Sequence, residues 1–313
     1  MKSKRNIKDT VFCHTYSIVA RDPKTGEMGV GVQSHYFSVG SVVDWGASGV
    51  GVVATQSFVN KSFGLRGLEL MKQGKTPEEA LAILLSDDEG KEVRQVALLD
   101  SHGRVAVHTG SKCIRYAGHE TGVNFSVQAN MMLKDTVWPA MARAFELNND
   151  ISLPERIIKA LKAAESEGGD IRGKQSAAIL IVKGEPVENE WDDPIIDIRV
   201  EDHPEPLEEL ERLLKLRRAY KIMDKGDDAM EKGDEDKALE EFNSAKKICP
   251  NNIEMKYWTA ISLANMKRFD DALPLFKEIF TEDSNWRILT ERLTEVDLLN
   301  ISEKELNKIL NLE

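Results

Sequence analysis

Cysteine is scarce in this 313-residue chain, and cations are outnumbered. Cys13, Cys113 and Cys249 are odd in number and match neither a disulfide framework nor a zinc knuckle, so a reducing compartment fits them. The six histidines show no HxH or HxxxH spacing and no cysteine pair joins them, so no metal site is expected. Lys and Arg total 42 against 53 Asp and Glu, for a net charge of −11. That balance argues against nucleic acid or an anionic membrane as the main partner, because both require clustered cations. No apolar run approaches the ~20 residues of a membrane span. The opening MKSKRNIKDTVF is basic but lacks the apolar segment of a secretory signal, so a cytoplasmic location is the default. GVGVVA has neither a GK[ST] ending nor a GxGxxG turn into a helix; its glycines read as close strand packing, and no cofactor is expected.

What is present is a chain that is 41% hydrophobic, enough for two domains and a substantial core. Its organising stretch is HTYSIVARDPKTGEMGVGVQSHY, residues 14–36, which reads as a β-hairpin around the DPKTGE turn. Two-residue periodicity puts Thr15 and Ser17 on one face, and the antiparallel return brings Gln33 and Ser34 beside them. Polar groups therefore collect at one end of an apolar hairpin. VGSVV and GVGVVATQS follow as expected strands, nearly continuous in apolar character and so covered on both faces. Next come a helix through Met71, a stop at Gly74, and a second helix with Thr76 as N-cap, Pro77 in the first turn and Glu79 completing a capping box.

Strands return in RQVALLDSHGRVAVHTG, with DSHG as a hairpin turn, and in CIRYAGHETGVNFSVQANMML. Helices are expected over about 134–147 and 153–167, then strands in QSAAILIVKG and IIDIRV. Strand runs separated by helix pairs predict an α+β fold, with two stacked sheets and outer helical layers forming a four-layer α/β/β/α sandwich. His203-Pro204-Glu205-Pro206 closes the last strand, and from Leu207 the composition becomes helical and charged. Asp236, Ala238, Leu239 and Phe242 recur 34 residues later as Asp270, Ala272, Leu273 and Phe276, which resembles two tetratricopeptide repeats. Trp258, Ile261 and Ala264 are expected to line one face of the helix between them, and the C-terminal segment to form capping helices. The expected domains are an N-terminal extension at 1–14, the sandwich at 15–206 and an all-α tetratricopeptide-like domain at 207–313.

Several motifs of the first two-thirds recur in order: TYSIVARDPKTGEMGVGVQSHYFSVGSVVDWGASGVGVVATQS, RQVALLD, TGSKCIRYAGH, SVQANMM, RGKQSAAILIV and DIRVEDHPEPLEELERLL. Over about residues 15–214 they resemble the uncharacterised family known as domain of unknown function 1028, placed with the N-terminal-nucleophile hydrolases. Such hydrolases share the four-layer sandwich. Their Thr, Ser or Cys nucleophile begins the first strand and becomes the chain's N-terminus, so its own α-amine acts as general base. The resemblance puts Thr15 in that position and implies that Gln33 and Ser34 tune it. An Asn such as Asn130, or backbone amides, would bind the oxyanion. Fourteen residues precede Thr15, so this mechanism requires cleavage between His14 and Thr15; Cys13 is the competitor and needs cleavage after Phe12.

The candidate catalytic residues are thus Thr15, Ser17 and Ser34. Gln33, Thr55, Gln56, Gln128, Asn130 and Gln175 are candidates for a polar substrate pocket, against the simpler reading that each satisfies hydrogen bonds at a strand end. His119 and His203 read as turn residues. Asp170, Asp197 and Asp202 are expected to pair with Arg172 and Arg199, although an arginine facing the pocket would suit an acidic substrate. Two functions compete. One is an amidohydrolase cleaving an amide bond in a small N-acyl or amide compound. The other is a non-catalytic ligand-binding scaffold whose repeats dock a protein or peptide partner. A homo-oligomer is expected on base rates.

Overall fold

The structure is a computed structural model and describes residues 11–312, so the first ten residues of the expected extension lie outside the described residues. The chain divides into two compact units after Arg212. The first unit opens with β1 (Val11–Cys13), β2 (Thr15–Arg21), β3 (Met28–Ser34), β4 (Asp44–Ala47) and β5 (Gly51–Val59). Helices α1 (Ser62–Lys72) and α2 (Pro77–Ser86) follow, then β6 (Arg94–Asp100), β7 (Val105–Thr109), β8 (Gly118–Gly122) and β9 (Phe125–Ala129). Helices α3 (Val137–Leu147) and α4 (Leu153–Ser166) precede β10 (Ser176–Val182) and β11 (Ile196–Val200).

The hairpin forms as its sequence pattern requires, with Thr15 opposite Ser34 and Arg21 opposite Met28. Asp22 holds the turn by accepting the Lys24 N–H at 2.7 Å, and Gly26 takes the left-handed conformation there. Further antiparallel pairing extends the hairpin into a six-stranded sheet of order β11-β10-β3-β2-β9-β8. In the other sheet β5 pairs along one edge with β6, which pairs with β7, and along its other edge with β4 and then β1.

Strand alternation decides which face each residue takes. Val19, Val30, Val32 and Leu180 of the six-stranded sheet bury together with Val52, Ala54, Ala97 and Leu99 of the other. The opposite face of β5 and β6, through Val53, Val96 and Leu98, packs on Phe63 and Leu68 of α1 and Leu81 and Leu84 of α2. Ile157 of α4 with Ile181 of β10 crowds Gly29, and Ile157 with Leu161 crowds Gly31, so a Cβ at either position would clash. α2 carries the expected capping box of Thr76 and Glu79, and Gly74 ends the preceding turn with φ of 87°.

Three expectations change. VGSVV is no strand: Val39–Ser41 form a short 3-10 turn, because Ser38 adopts a left-handed conformation and the Ser41 hydroxyl bonds back to the Ser38 carbonyl. α3 begins at Val137, not Lys134, since the Thr136 hydroxyl is spent on Glu167 and caps nothing. Val11–Cys13, expected within the N-terminal extension and not as a strand, is an edge strand on β5, with Cys13 fully buried between the sheets.

Helix α5 (Pro206–Glu231) starts at the change of composition, and the two units divide inside it, after Arg212, so most of the helix belongs to the second unit. Within the first unit its Glu208 and Glu211 both pair with Lys162 of α4. The second unit is helical, with α6 (Glu235–Ile248), α7 (Ile253–Asn265), α8 (Phe269–Glu282), α9 (Asn285–Leu293) and α10 (Glu303–Leu310). Ala238 and Phe242, and 34 residues on Ala272 and Phe276, are all fully buried. Among the described residues no helix is long and apolar enough to cross a membrane.

Candidate functional site

The polar end of the hairpin opens into the space between the two sheets, where hydroxyl and amide side chains replace the valines of the core. Thr15 and Ser17 enter from β2, Ser126 and Gln128 from β9, and Asn130 from just beyond it. Gln56 and its cross-strand partner Gln95 come from the opposing sheet, and all seven are fully buried. Burial on this scale is tolerable only if each group is paired. Ser17 Oγ donates to Gln56 Oε1 at 2.5 Å and accepts from Gln128 Nε2 at 2.6 Å, while Ser126 Oγ donates to Gln128 Oε1 at 3.0 Å. Gln95 is the node. Its Oε1 accepts from Gln56 Nε2 at 2.7 Å and Asn130 Nδ2 at 2.9 Å, and its Nε2 donates to the Ala129 carbonyl and Thr109 Oγ1.

Around Thr15 the arrangement is specific. The Thr15 carbonyl accepts from Gln56 Nε2 and Asn130 Nδ2, at 3.3 and 3.4 Å. Thr15 Oγ1 donates to the Cys13 carbonyl at 2.9 Å. The carbonyl oxygen of His14, whose carbon is bonded to the Thr15 nitrogen, accepts from Ser34 Oγ at 2.6 Å and from Arg172 Nη2 at 2.9 Å. Arg172 is itself held by two bonds to the buried Asp170 carboxylate, at 3.0 and 2.7 Å. Because the Asn130 nitrogen is committed to Gln95, its oxygen faces His14 Nδ1 at 2.7 Å, which assigns the ring proton to Nδ1. Burial pushes the His14 imidazole below its ordinary pKa, so the ring is neutral. Burial also drives the Cys13 thiol up to about 12.

Of the candidates read from sequence, the fold gathers Thr15, Ser17, Ser34, Gln56, Gln128 and Asn130. It separates three. Gln33 lies on the opposite face of β3 from Ser34, fully buried, and neither amide atom has a hydrogen-bond partner among the described residues. Thr55 likewise alternates away from Gln56, its hydroxyl reaching the Asn60 carbonyl. Gln175 donates its side chain to Asp202. His119 sits in β8 and not in a turn, and bonds Thr109 Oγ1 at 2.8 Å. Asp170–Arg172 and Asp197–Arg199 pair as expected. Sequence reasoning passed over Gln95 and His14; Gln95 lies in an ordinary apolar strand, RQVALLD, and only its odd polar character marked it. Through Thr109 the network reaches an open cleft of about 570 Å³ bordered by Cys113, Arg115, Tyr116, His119 and Trp138. Among the described residues no group of three or more His, Cys, Asp or Glu is arranged to hold a metal ion.

Comparison with known families decides the relationship. A model described as a family of unknown function, DUF1028, matches residues 15–210. The chain belongs to the DUF1028 family. Among solved structures, the crystal structure of protein SPO2555 from Silicibacter pomeroyi, a DUF1028 member, is similar at 32% identity with a TM-score of 0.58. The similarity covers 64% of this chain and 88% of that one. No curated protein matches. The DUF1028 match begins at the residue whose preceding carbonyl is doubly held, and it ends inside α5.

Proposed function

We propose that the first unit is an N-terminal-nucleophile amidohydrolase with the four-layer α/β/β/α architecture of that class, and that it frees Thr15 by breaking its own His14–Thr15 peptide. The observation that carries this reading is the His14 carbonyl, whose oxygen takes one neutral and one charge-assisted hydrogen bond, from Ser34 and Arg172. Two donors on one carbonyl oxygen stabilise negative charge that develops there. The Thr15 hydroxyl belongs to the next residue. Its Oγ attacks the His14 carbonyl carbon, the oxyanion rests on Ser34 and Arg172, and the C–N bond breaks as the hydroxyl proton passes to the Thr15 nitrogen. Water then hydrolyses the ester, leaving a carboxylate on His14 and regenerating the Thr15 hydroxyl. The freed α-amine, with an ordinary pKa near ~7.7–8.0, becomes the base for the same attack on a substrate amide. The same Ser34 and Arg172 donors would hold the substrate's oxyanion, and a small N-acyl or amide compound is the substrate class proposed.

A second reading rests on a different observation. β1 completes the edge of β5 and Cys13 fills the core, so the uncleaved chain is well packed. On this reading the first unit binds a small ligand without catalysis. The helical unit, read as two tetratricopeptide-like repeats from the matched burial of Ala238/Phe242 and Ala272/Phe276, docks a partner. Intact mass with N-terminal sequencing separates the two. A chain beginning at Thr15, with hydrolysis of N-acyl amino acids that Thr15→Ala abolishes, supports the hydrolase. A purified chain that retains residues 1–14 on prolonged incubation retires it in favour of the scaffold.

A further inference from the structure

The carbonyl that Ser34 and Arg172 hold belongs to His14, so the group on the acyl side of the His14–Thr15 peptide is visible in the structure. The His14 imidazole is only 4% exposed and meets the Phe58 ring edge to face, with centroids 5.6 Å apart. Its Nδ1, four bonds along the side chain from the carbonyl carbon, donates to Asn130 Oδ1 at 2.7 Å.

The direction of that bond is fixed from outside the pair. Gln95 Nε2 faces the Gly118 and Ala129 carbonyls, which can only accept, so Gln95 Oε1 is the acceptor for Asn130 Nδ2. Asn130 Nδ2 also faces the Thr15 carbonyl, which leaves Oδ1 for the imidazole N–H. Asn130 thus points an acceptor, not a donor, at the acyl side. It is fully buried, and among the described residues no other donor reaches its Oδ1. Departure of the segment ending at His14 strands that oxygen, and a buried acceptor without a partner is costly. Only a water or an N–H of the next occupant can then satisfy it.

We propose that the space filled by His14 is the acyl subsite of the hydrolase reading, on which this inference rests, and that Asn130 there selects acyl groups with a flat N–H donor four bonds from the scissile carbonyl. An amide of an N-acyl histidine is the simplest such substrate. Thr15 Oγ attacks its acyl carbon, and the hydroxyl proton passes by way of the α-amine to the departing amine. Water then hydrolyses the acyl ester, which releases the carboxylic acid and regenerates the hydroxyl.

The test follows processing of the full chain by intact mass and then assays three p-nitroanilides: those of N-acetyl-histidine, its Nδ1-methyl derivative and N-acetyl-phenylalanine. The histidine compound is expected to exceed the other two by about 10–100-fold in kcat/KM, because only it brings an N–H to Asn130 Oδ1. Asn130→Leu, checked for folding by circular dichroism, is expected to erase the preference; the comparison of probes on the wild-type chain stands without it. A processed chain that hydrolyses the histidine and Nδ1-methyl compounds equally, or none of the three, overturns the subsite and leaves the nucleophile assignment intact. A preference that persists in folded Asn130→Leu removes Asn130 from the selection. A chain of unchanged mass, which never exposes Thr15, overturns the hydrolase reading and the subsite with it.

Discussion

Arg172 Nη2 stands 2.9 Å from the carbonyl oxygen of His14, although 158 residues separate the two in sequence. Asp170 fixes the guanidinium by two bonds, so the contact is rigid and does not depend on a wandering surface side chain. A peptide carbonyl that attracts both an arginine and the Ser34 hydroxyl is polarised toward attack, and the nearest hydroxyl in sequence is that of Thr15.

If that carbonyl is the scissile one, removing its donors slows its cleavage. Arg172→Gln and Ser34→Ala are each expected to slow conversion of the full-length chain to one beginning at Thr15, by about 10²–10³-fold. Thr15→Ala is expected to stop it and Thr15→Ser to retain it. A mass-spectrometric time course reads all four, and wild-type rates in both donor variants would remove the proposed oxyanion role.

Gln95 holds the buried amides together, so its loss affects more than one partner. Gln95→Leu takes the short acceptor from Gln56 Nε2 and Asn130 Nδ2, leaving them the longer contacts with the Thr15 carbonyl, and takes the donor from the Ala129 carbonyl. The expected cost is about 1–3 kcal/mol, because the affected groups are weakened and not all left unpaired. Urea unfolding measures it; a cost below about 0.5 kcal/mol would mean the network is not cooperative.

Asp44 opens β4 with both carboxylate oxygens buried and without hydrogen-bond partners among the described residues. Burial, opposed by the Arg199 charge, pushes its carboxyl up to about 7. Below the ordinary carboxylate pKa the group is protonated in both folded and unfolded chains, so its contribution is fully favourable there. As pH rises toward 7 the unfolded chain ionises first and stability is lost, on the order of 4 kcal/mol in total. Asp44→Asn is expected to flatten this slope between pH 4 and 7 and to be the more stable protein at pH 8. Denaturant midpoints across that range check the prediction, and parallel curves for the two proteins would contradict it.

Gly31 sits where a Cβ would lie 2.2 Å from Ile157 Cγ2 and 3.2 Å from Leu161 Cδ1. Gly31→Ala is therefore expected to destabilise the first unit by roughly 1–3 kcal/mol through overpacking. In a double-mutant cycle with Ile157→Ala, part of that cost should disappear; strict additivity would place the strain elsewhere.

Much of this was readable before any fold was known. The hairpin register follows from period-two alternation around a DPKTGE turn, so Thr15 opposite Ser34 needed no tertiary information. The capping box at Thr76 and Glu79 is equally local. VGSVV misled because its strand propensity is real, but a left-handed Ser38 and long-range bonds such as Ser176 Oγ accepting the Val39 N–H prevailed.

The sequence by itself determined most of the strands and helices, the hairpin turns and the polar end of the first hairpin, because these depend on neighbours a few residues apart. Only the tertiary structure decided which polar residues meet. Gln33 and Thr55 were turned away from the cluster by the same alternation that places Ser34 and Gln56 in it, once each sheet had a core face and a helix face. Gln95 and Arg172 joined it from distant strands and loops. Their roles arise from packing two sheets together, and a contact across a core between residues remote in sequence leaves no local periodicity to read.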